Sequence, residues 1–396
     1  MFNLKSLFSA KQHPPPLLLP DHLHLPSPDA VFDVLEKRLE IMFNRAKSPR
    51  DLGGRYYAWY WGYLGRAVHD LALTTQEDRY HHLMHKSCMR MLALRDDQRG
   101  IIDDIRKATL PGWSAQIDGV RTNEITVLGL ICLPLVEYAL ATGDRIIAQG
   151  AIEALDCLTH EALQIENGAI WFRHPLNGIP EAINHANLYG AALAHGAHLP
   201  DAPSRFATIA LGIDQWFRQF QVITRHRRTR TKRVAHWPYS PGPKDQAGAH
   251  HSEAIWKAGA SIELPIALAE TSFAQTDSSL DPITAIITGN PLVQKGEFPL
   301  SIDPRVERTL GAKYEGSNLP AFLAAWFQIG DDELDDTILR LMAQHSAKFH
   351  GGWTVSNRTM MMGLAHLIKT NRILPALQTG PDANAWAAYF RNDSKS

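Results

Sequence analysis

The sequence predicts an all-α fold, an (α/α)6 toroid in which six helical hairpins form a complete or incomplete ring with long loops at one end. Three observations predict it. An apolar helix with a polar opening recurs about every 60–70 residues, and a fixed period of this kind marks an array of like supersecondary units. The openings resemble one another: Gly54-Arg55-Tyr56-Tyr57, Arg121-Thr122-Asn123-Glu124, Asn184-His185-Ala186-Asn187, His250-His251-Ser252-Glu253, Gly316-Ser317-Asn318 and Ser356-Asn357-Arg358. Little reads as strand, the best candidate being one short segment. If the first helices all start at one end, they line an inner wall and bring their N-termini to a common mouth.

The elements follow in order. Residues 1–28 read as an irregular, proline-rich arm, and residues 29–396 as a single toroid domain. Val31, Leu35, Leu39 and Met42 keep helical spacing over 29–47, which predicts a lead-in helix. Hairpin one is Tyr56–Leu73 and Glu77–Leu94. Hairpin two runs from Asn123 to about His160; its break at Gly143-Asp144 supplies a C-terminal glycine and a capping aspartate. Hairpin three runs from Asn184 to about Phe220, broken at Leu199-Pro200-Asp201. Hairpin four starts near His251, with its partner helix within 278–311. Hairpin five is Asn318–His345, broken at Gly330-Asp331. Hairpin six starts at Asn357, with a return helix near 382–391. The strand segment, 169–173, lies between two Asn-Gly pairs and predicts a ribbon in a loop. The long connections, about 97–120, 161–183, 222–250 and 346–355, all precede first helices and so gather at the mouth, where long loops usually carry function.

With 45 % hydrophobic and 20 % charged residues, the 396-residue chain can bury a large core. A net charge of -1 provides no global field for nucleic acid, so affinity for anions must come from local clusters. Three cysteines, Cys88, Cys132 and Cys157, sit in apolar stretches without metal-type spacing and read as free thiols. The N-terminus lacks the continuous apolar core of a signal peptide. That predicts a cytoplasmic protein, with a periplasmic or secreted location by another route as the alternative. No run approaches the ~18 apolar residues of a membrane span, so none is expected.

Asn184-His185 at a helix start pairs an amide that can bind a carboxylate with an imidazole that can take a proton. Tyr189 lies deeper on roughly the same side. The alternative is an Asn184 N-cap beside a surface histidine. Trp237-Pro238-Tyr239 precedes His250, His251 and Glu253. Tyrosine can serve as general acid or base, and a tryptophan face suits a sugar ring. Alternatively the aromatics pin the loop and Glu253 completes a capping pattern. Arg121, Asn123, Glu124, Asn357 and Arg358 could bind carboxylate or hydroxyl groups, or act as caps and ion pairs; Arg55, Tyr56 and Tyr57 read the same way. The basic run Arg225–Arg233 could draw an acidic polymer to the mouth or be a solvated loop. His81, His82 and His85 offer a His-x-x-x-His metal-ligand spacing but lack the glutamate of the zinc-protease motif and fall on an outer helix. No phosphate loop or dinucleotide fingerprint occurs, and neither metal nor cofactor is expected.

The succession NHANLYGAALAHG, a Trp-x-Tyr loop and HHSEAIWKAGASIELPIALAE resembles the α/α-toroid polysaccharide lyases, including the alginate lyase group. The resemblance spans about 50–370 and is most specific within 184–253. It implies β-elimination on a uronate-type polysaccharide such as a capsular or exopolysaccharide. Asn184 would neutralise the carboxylate, His185 or His251 would be the base, and Tyr239 the acid or both. The anionic polysaccharide is the expected partner; Arg121, Asn123, Glu124, Tyr189, Trp237, His250, Glu253, Asn357 and Arg358 would bind it. The chain departs from the pattern in lacking a clear signal peptide and an appended β-sandwich. The same fold serves uronate and sugar epimerases and inverting glycosidases, the last needing two carboxylates about 6.5–9.5 Å apart, for which Glu124 and Glu253 are the candidates. A non-catalytic glycan-binding toroid is the remaining alternative.

Overall fold

The computed structural model describes residues 28–46, 53–165, 167–225, 233–241, 251–271, 273, 279–306, 308–309, 319–346 and 358–370. Helix α1 (Pro28–Arg45) leads in, and α2 (Gly54–Thr75) and α3 (Asp78–Ala93) form the first hairpin. A single turn, α4 (Asp96–Arg99), and the ribbon β1 (Ala115–Ile117)–β2 (Val120–Thr122) occupy the following connection. Hairpin two is α5 (Ile125–Thr142) and α6 (Arg145–Asp156). Its turn holds Gly143 at φ 72, and the Asp144 carboxylate accepts from the Ile146 and Ile147 N–H groups. The ribbon β3 (Leu163–Gln164)–β4 (Ile170–Trp171) lies where the Asn-Gly pairs predict one. Hairpin three is α7 (Ile183–Gly196) and α8 (Arg205–Phe220), followed by the ribbon β5 (Val222–Arg225)–β6 (Arg233–His236). Then come α9 (Ile255–Ser261), α10 (Glu263–Glu270), α11 (Asp281–Thr288), α12 (Pro291–Gln294), a 3-10 helix (Leu319–Ile329), α13 (Asp332–Ser346) and α14 (Arg358–Lys369).

The first elements of the hairpins close an inner wall. Helix α2 packs beside α5, α5 beside α7, α7 beside α9 and α10, α9 beside the 3-10 helix, that helix beside α14, and α14 back on α2. The closing seam is electrostatic as well as apolar: Lys369 Nζ donates to Asp70 Oδ1 at 2.7 Å. Close approach at the wall uses small residues. A Cβ on Gly129 of α5 would lie 2.6 Å from the α7 backbone at Leu188, and one on Gly363 of α14 would lie 2.5 Å from the Ala324 carbonyl oxygen. Helices α3, α6, α8 and α13 back their own inner elements, and α1 packs outside α2 and α3. The return helix expected near 382–391 lies outside the described residues.

Three departures from the sequence reading have physical causes. Helix α5 is 18 residues long with a mean hydropathy of 1.9, enough by length and composition to cross a membrane, contrary to the expectation that no run comes close. It is apolar because it is walled by α2 and α7, with 78 % of it buried. The fourth inner helix is split at Ile262. Pro265 has no N–H to give the Ser261 carbonyl and its ring crowds that oxygen, so the ladder breaks into α9 and α10. The fifth inner element is 3-10 rather than α.

The helix openings are capped by backbone rather than by their own polar side chains. Gly54 N–H donates to the Ser114 carbonyl, Ile183 N–H to that of Tyr239, and Ile255 N–H to that of Leu300. No side-chain cap is made at the starts of α2, α5, α7 or α9. Each loop that supplies such a carbonyl satisfies an N–H that would otherwise be an orphan. The polar residues of the openings are thereby released from capping.

Candidate active site

The N-terminal ends of α2, α5 and α7 surround a cavity of about 460 Å³. Its walls carry Arg55, Trp59, Thr126, His174, Asn177, Glu181, His185, Tyr239 and Ser240. Helix α2 supplies Arg55 and Trp59 one turn apart. The connection before α7 supplies His174 and Glu181, and α7 itself supplies His185. Tyr239 comes from the loop after β6, whose Trp237 and Tyr239 backbone groups pair with residues 251–253: Tyr239 N–H donates to the His251 carbonyl at 2.9 Å and Glu253 N–H to that of Trp237 at 3.1 Å. Since the Tyr239 carbonyl also receives the Ile183 N–H at 3.1 Å, the tyrosine is fixed to the start of the helix that bears His185.

Two charged pairs organise the cavity. Arg55 donates through Nε and Nη2 to the two oxygens of Glu124, both at 2.7 Å. The Glu124 side chain is fully buried while that of Arg55 is 44 % exposed. The hydrogen bond to Glu124 raises the Arg55 pKa further, against the effect of burial. His185 Nδ1 lies 2.9 Å from Glu181 Oε2. A carboxylate accepts only, so this bond places the proton on Nδ1 and leaves Nε2 as the basic nitrogen of the neutral ring. Burial would raise the Glu181 carboxyl, but the His185 hydrogen bond and the His185 and His174 charges hold it below the usual glutamate range.

Tyr239 has its phenol pushed upward by burial and by the Glu253 and Glu181 charges, with Arg55 opposing. Lys257 Nζ stands 4.0 Å from its ring centroid. Behind it Glu253 is fully buried and accepts on Oε2 from Trp237 Nε1 and, at 2.6 Å, from Ser261 Oγ. Burial raises the Glu253 carboxyl to about 7 against these hydrogen bonds.

Of the residues singled out in the sequence, the structure brings His185 and Tyr239 to one cavity, with Glu124 against Arg55 at its edge. Asn184 is buried, its Oδ1 without a partner among the described residues, and it does not line the cavity. Other expectations need correction. Tyr189 is fully buried and donates to the Leu155 carbonyl on α6, so it packs the wall instead of meeting a ligand. Trp237 is 1 % exposed and lies edge-on to Phe217, so its face is closed to a sugar. Asn123 is fully buried and ties Asp96 to the loop before α5, Nδ2 donating to Asp96 Oδ2 at 3.1 Å. Glu253 belongs to the buried layer behind Tyr239. Arg121 lies on β2, with its N–H given to Asp104 Oδ2 at 2.7 Å, and is not part of the cavity wall. His251 has an exposed side chain and contributes its carbonyl. Arg358 stands on the α14 side of the mouth; His250 and Asn357 lie outside the described residues. Arg225 and Arg233 are cross-strand partners at the end of β5–β6, and the basic residues between them are outside the described set.

Sequence reasoning missed His174, Glu181 and Trp59, and left Arg55 open between a binding residue and a cap or ion pair. Glu181 had a signal, four residues before His185 across a helix start, the spacing at which side chains meet. His174 had none beyond its place in a long connection.

Glu124, His174 and Glu181 bring their ligand atoms within 4.8 Å of one another, the one such group among the described residues. A cation there would compete with Arg55, which holds both Glu124 oxygens, and with the His185 proton on Glu181. The protein's own donors already neutralise these carboxylates.

No protein-family model and no curated protein matches the chain. Among solved structures it is similar to a GH76 alpha-mannanase from Bacteroides thetaiotaomicron, with a TM-score of 0.51 at 10 % identity over 92 % of this chain and 97 % of that one. Lower scores relate it to an unsaturated glucuronyl hydrolase from Streptococcus agalactiae (0.46, 11 % identity, 90 % and 96 % covered) and to an alpha-amylase from Clostridium perfringens (0.45, 10 %, 78 % and 84 %). At this identity the mannanase likeness speaks to the fold alone, and the fold is the α/α toroid.

Proposed function

We propose that this chain is a polysaccharide lyase that cuts an acidic, uronate-type glycan by β-elimination. The observation that carries the reading is the His185–Glu181 hydrogen bond in a cavity shared with Tyr239 and Arg55. Elimination needs three things: a cation or donor on the sugar carboxylate, a base for the proton on the carbon bearing it, and an acid for the departing oxygen. Arg55 keeps Nη1 free of Glu124 and lines the cavity, so it takes the neutralising role that the resemblance assigned to Asn184. His185 Nε2 takes the proton, with Glu181 stabilising the imidazolium that forms. Tyr239, whose raised pKa keeps its phenol protonated, gives its proton to the glycosidic oxygen as the carbon–oxygen bond breaks. A carbon–carbon double bond remains beside the carboxylate, and no water is consumed.

The inverting-glycosidase pair expected from the sequence is poorly served. Glu253 is fully buried behind Tyr239, and Glu124 has both oxygens on Arg55.

The test is turnover on a panel of acidic polysaccharides, followed by the absorbance of the unsaturated product. His185→Ala and Tyr239→Phe should each lower it by about 10²–10⁴-fold, the usual contribution of a positioned acid or base, with circular dichroism unchanged. Two folded variants with wild-type turnover would refute the assignment.

A further inference from the structure

Among the described residues, three arginines with little exposure are paired with carboxylates. Arg66 holds Glu137 and Glu263, Arg95 holds Asp97 and Glu153, and Arg106 holds Asp103 and Glu161. Arg358 is different. It is the first residue of α14, half-buried at the mouth, and among the described residues it meets no carboxylate; its guanidinium lies 3.8 Å from the Tyr60 ring centroid. Burial disfavours its charge, and the surrounding tyrosines Tyr60, Tyr63 and Tyr56 only partly offset this. A guanidinium partly withdrawn from water without a counter-charge is costly, and an anion arriving there relieves the cost.

The α2 face beside it is aromatic, with Tyr63 buried at one end. Tyr56, Trp59, Tyr60 and Tyr63 follow helical i, i+3, i+4, i+7 spacing on α2. Tyr56 and Tyr60 have ring centroids 4.4 Å apart, and Trp59 stacks on Tyr63 at 6.0 Å and 27°. Trp59 is half-buried and also lines the catalytic cavity beside Arg55. At the outer end of the stripe, Arg45 of α1 lies 5.8 Å from the Tyr56 centroid and is exposed, also without a carboxylate partner among the described residues.

We infer that the seam between α2 and α14 is a second subsite for a carboxylated sugar, in which Arg358, held over the Tyr60 ring, binds the carboxylate and Trp59 takes the ring face. The inference rests on the lyase reading, and it deepens it: the preferred substrate carries acidic units on neighbouring residues. One unit lies at His185 and Tyr239, its neighbour crosses Trp59, and its carboxylate meets Arg358. Guanidinium–carboxylate pairs are strong, directional contacts, so the subsite favours an acidic neighbour over a neutral one.

The experiment is calorimetric titration with an oligouronate tetramer and with the single uronate. The parent is the Tyr239→Phe protein, so that ligand is not consumed. Arg358→Gln should weaken tetramer binding by about tenfold, near 1.4 kcal/mol, and flatten its salt dependence, while binding of the single uronate stays unchanged. Trp59→Ala should weaken both ligands, because it touches both subsites. Arg358→Lys keeps the charge without the flat fork and should fall between. Thermal unfolding of each variant separates lost contacts from lost fold. If the parent binds the tetramer and folded Arg358→Gln binds it equally well, the subsite is refuted and the lyase reading stands. If the parent binds no acidic oligomer and the unsubstituted protein releases no unsaturated product, both fall.

Discussion

Asn187 donates from Nδ2 to the Ser261 carbonyl at 2.6 Å, and that carbonyl is the one Pro265 cannot serve. The proline breaks the fourth inner helix, and an amide from the neighbouring inner helix fills the vacant bond. The contact joins α7, which bears His185, to the α9–α10 break, where Ser261 also holds Glu253 beneath Tyr239. Asn187→Ala should therefore destabilise the fold by about 1–3 kcal/mol, the cost of an unsatisfied buried acceptor. In a Pro265→Ala background position 265 regains an N–H, and the same change should cost distinctly less. Urea denaturation of the four proteins measures the coupling; an equal cost in both backgrounds would contradict it.

The Arg55–Glu124 pair leads to a second prediction. Glu124 is fully buried and Arg55 is its bidentate partner. Arg55→Ala leaves an unpaired buried carboxylate and should cost roughly 1.5–3 kcal/mol, as for a lost hydrogen bond to a charged group. Adding Glu124→Gln should recover part of that stability but none of the activity, because the cation in the cavity is still missing. Denaturation and turnover of the unsubstituted protein, Arg55→Ala and the double variant separate the two effects.

Glu253 makes stability depend on pH. Its folded carboxyl stands at about 7 against an ordinary 4.5, so the folded state holds its proton more tightly than the unfolded chain. Its contribution is then fully present below about pH 4.5, falls as pH rises toward 7, and stays lost above. The total change is on the order of 3 kcal/mol. Glu253→Gln keeps the acceptor for Trp237 and Ser261 and removes the titration. The stability difference between the two proteins should shift in the variant's favour between pH 4.5 and 7.5, and a difference independent of pH would contradict the assignment.

The ring was legible because its period is written in apolar helices with breaks at residues such as Gly143 and Asp144, where local chemistry decides. The site was legible only in part. His185 and Tyr239 announce themselves by type and place, whereas Glu181 and His174 depend on how one connection folds against α7. Trp237 and Tyr189 misled for a common reason: an aromatic with a polar atom serves a buried wall as readily as a ligand, and only its exposure separates the two. Asn123 misled because its amide is spent on Asp96, a carboxylate from a distant turn, which no local pattern records.

The central claim, elimination without water, is tested most directly by digesting an acidic polysaccharide in oxygen-18-labelled water and weighing the products. The account predicts fragments that carry no label and together weigh the same as the parent chain, each new non-reducing end bearing a double bond. One labelled oxygen per cut, with saturated ends and products one water heavier, would contradict it and make the protein a hydrolase.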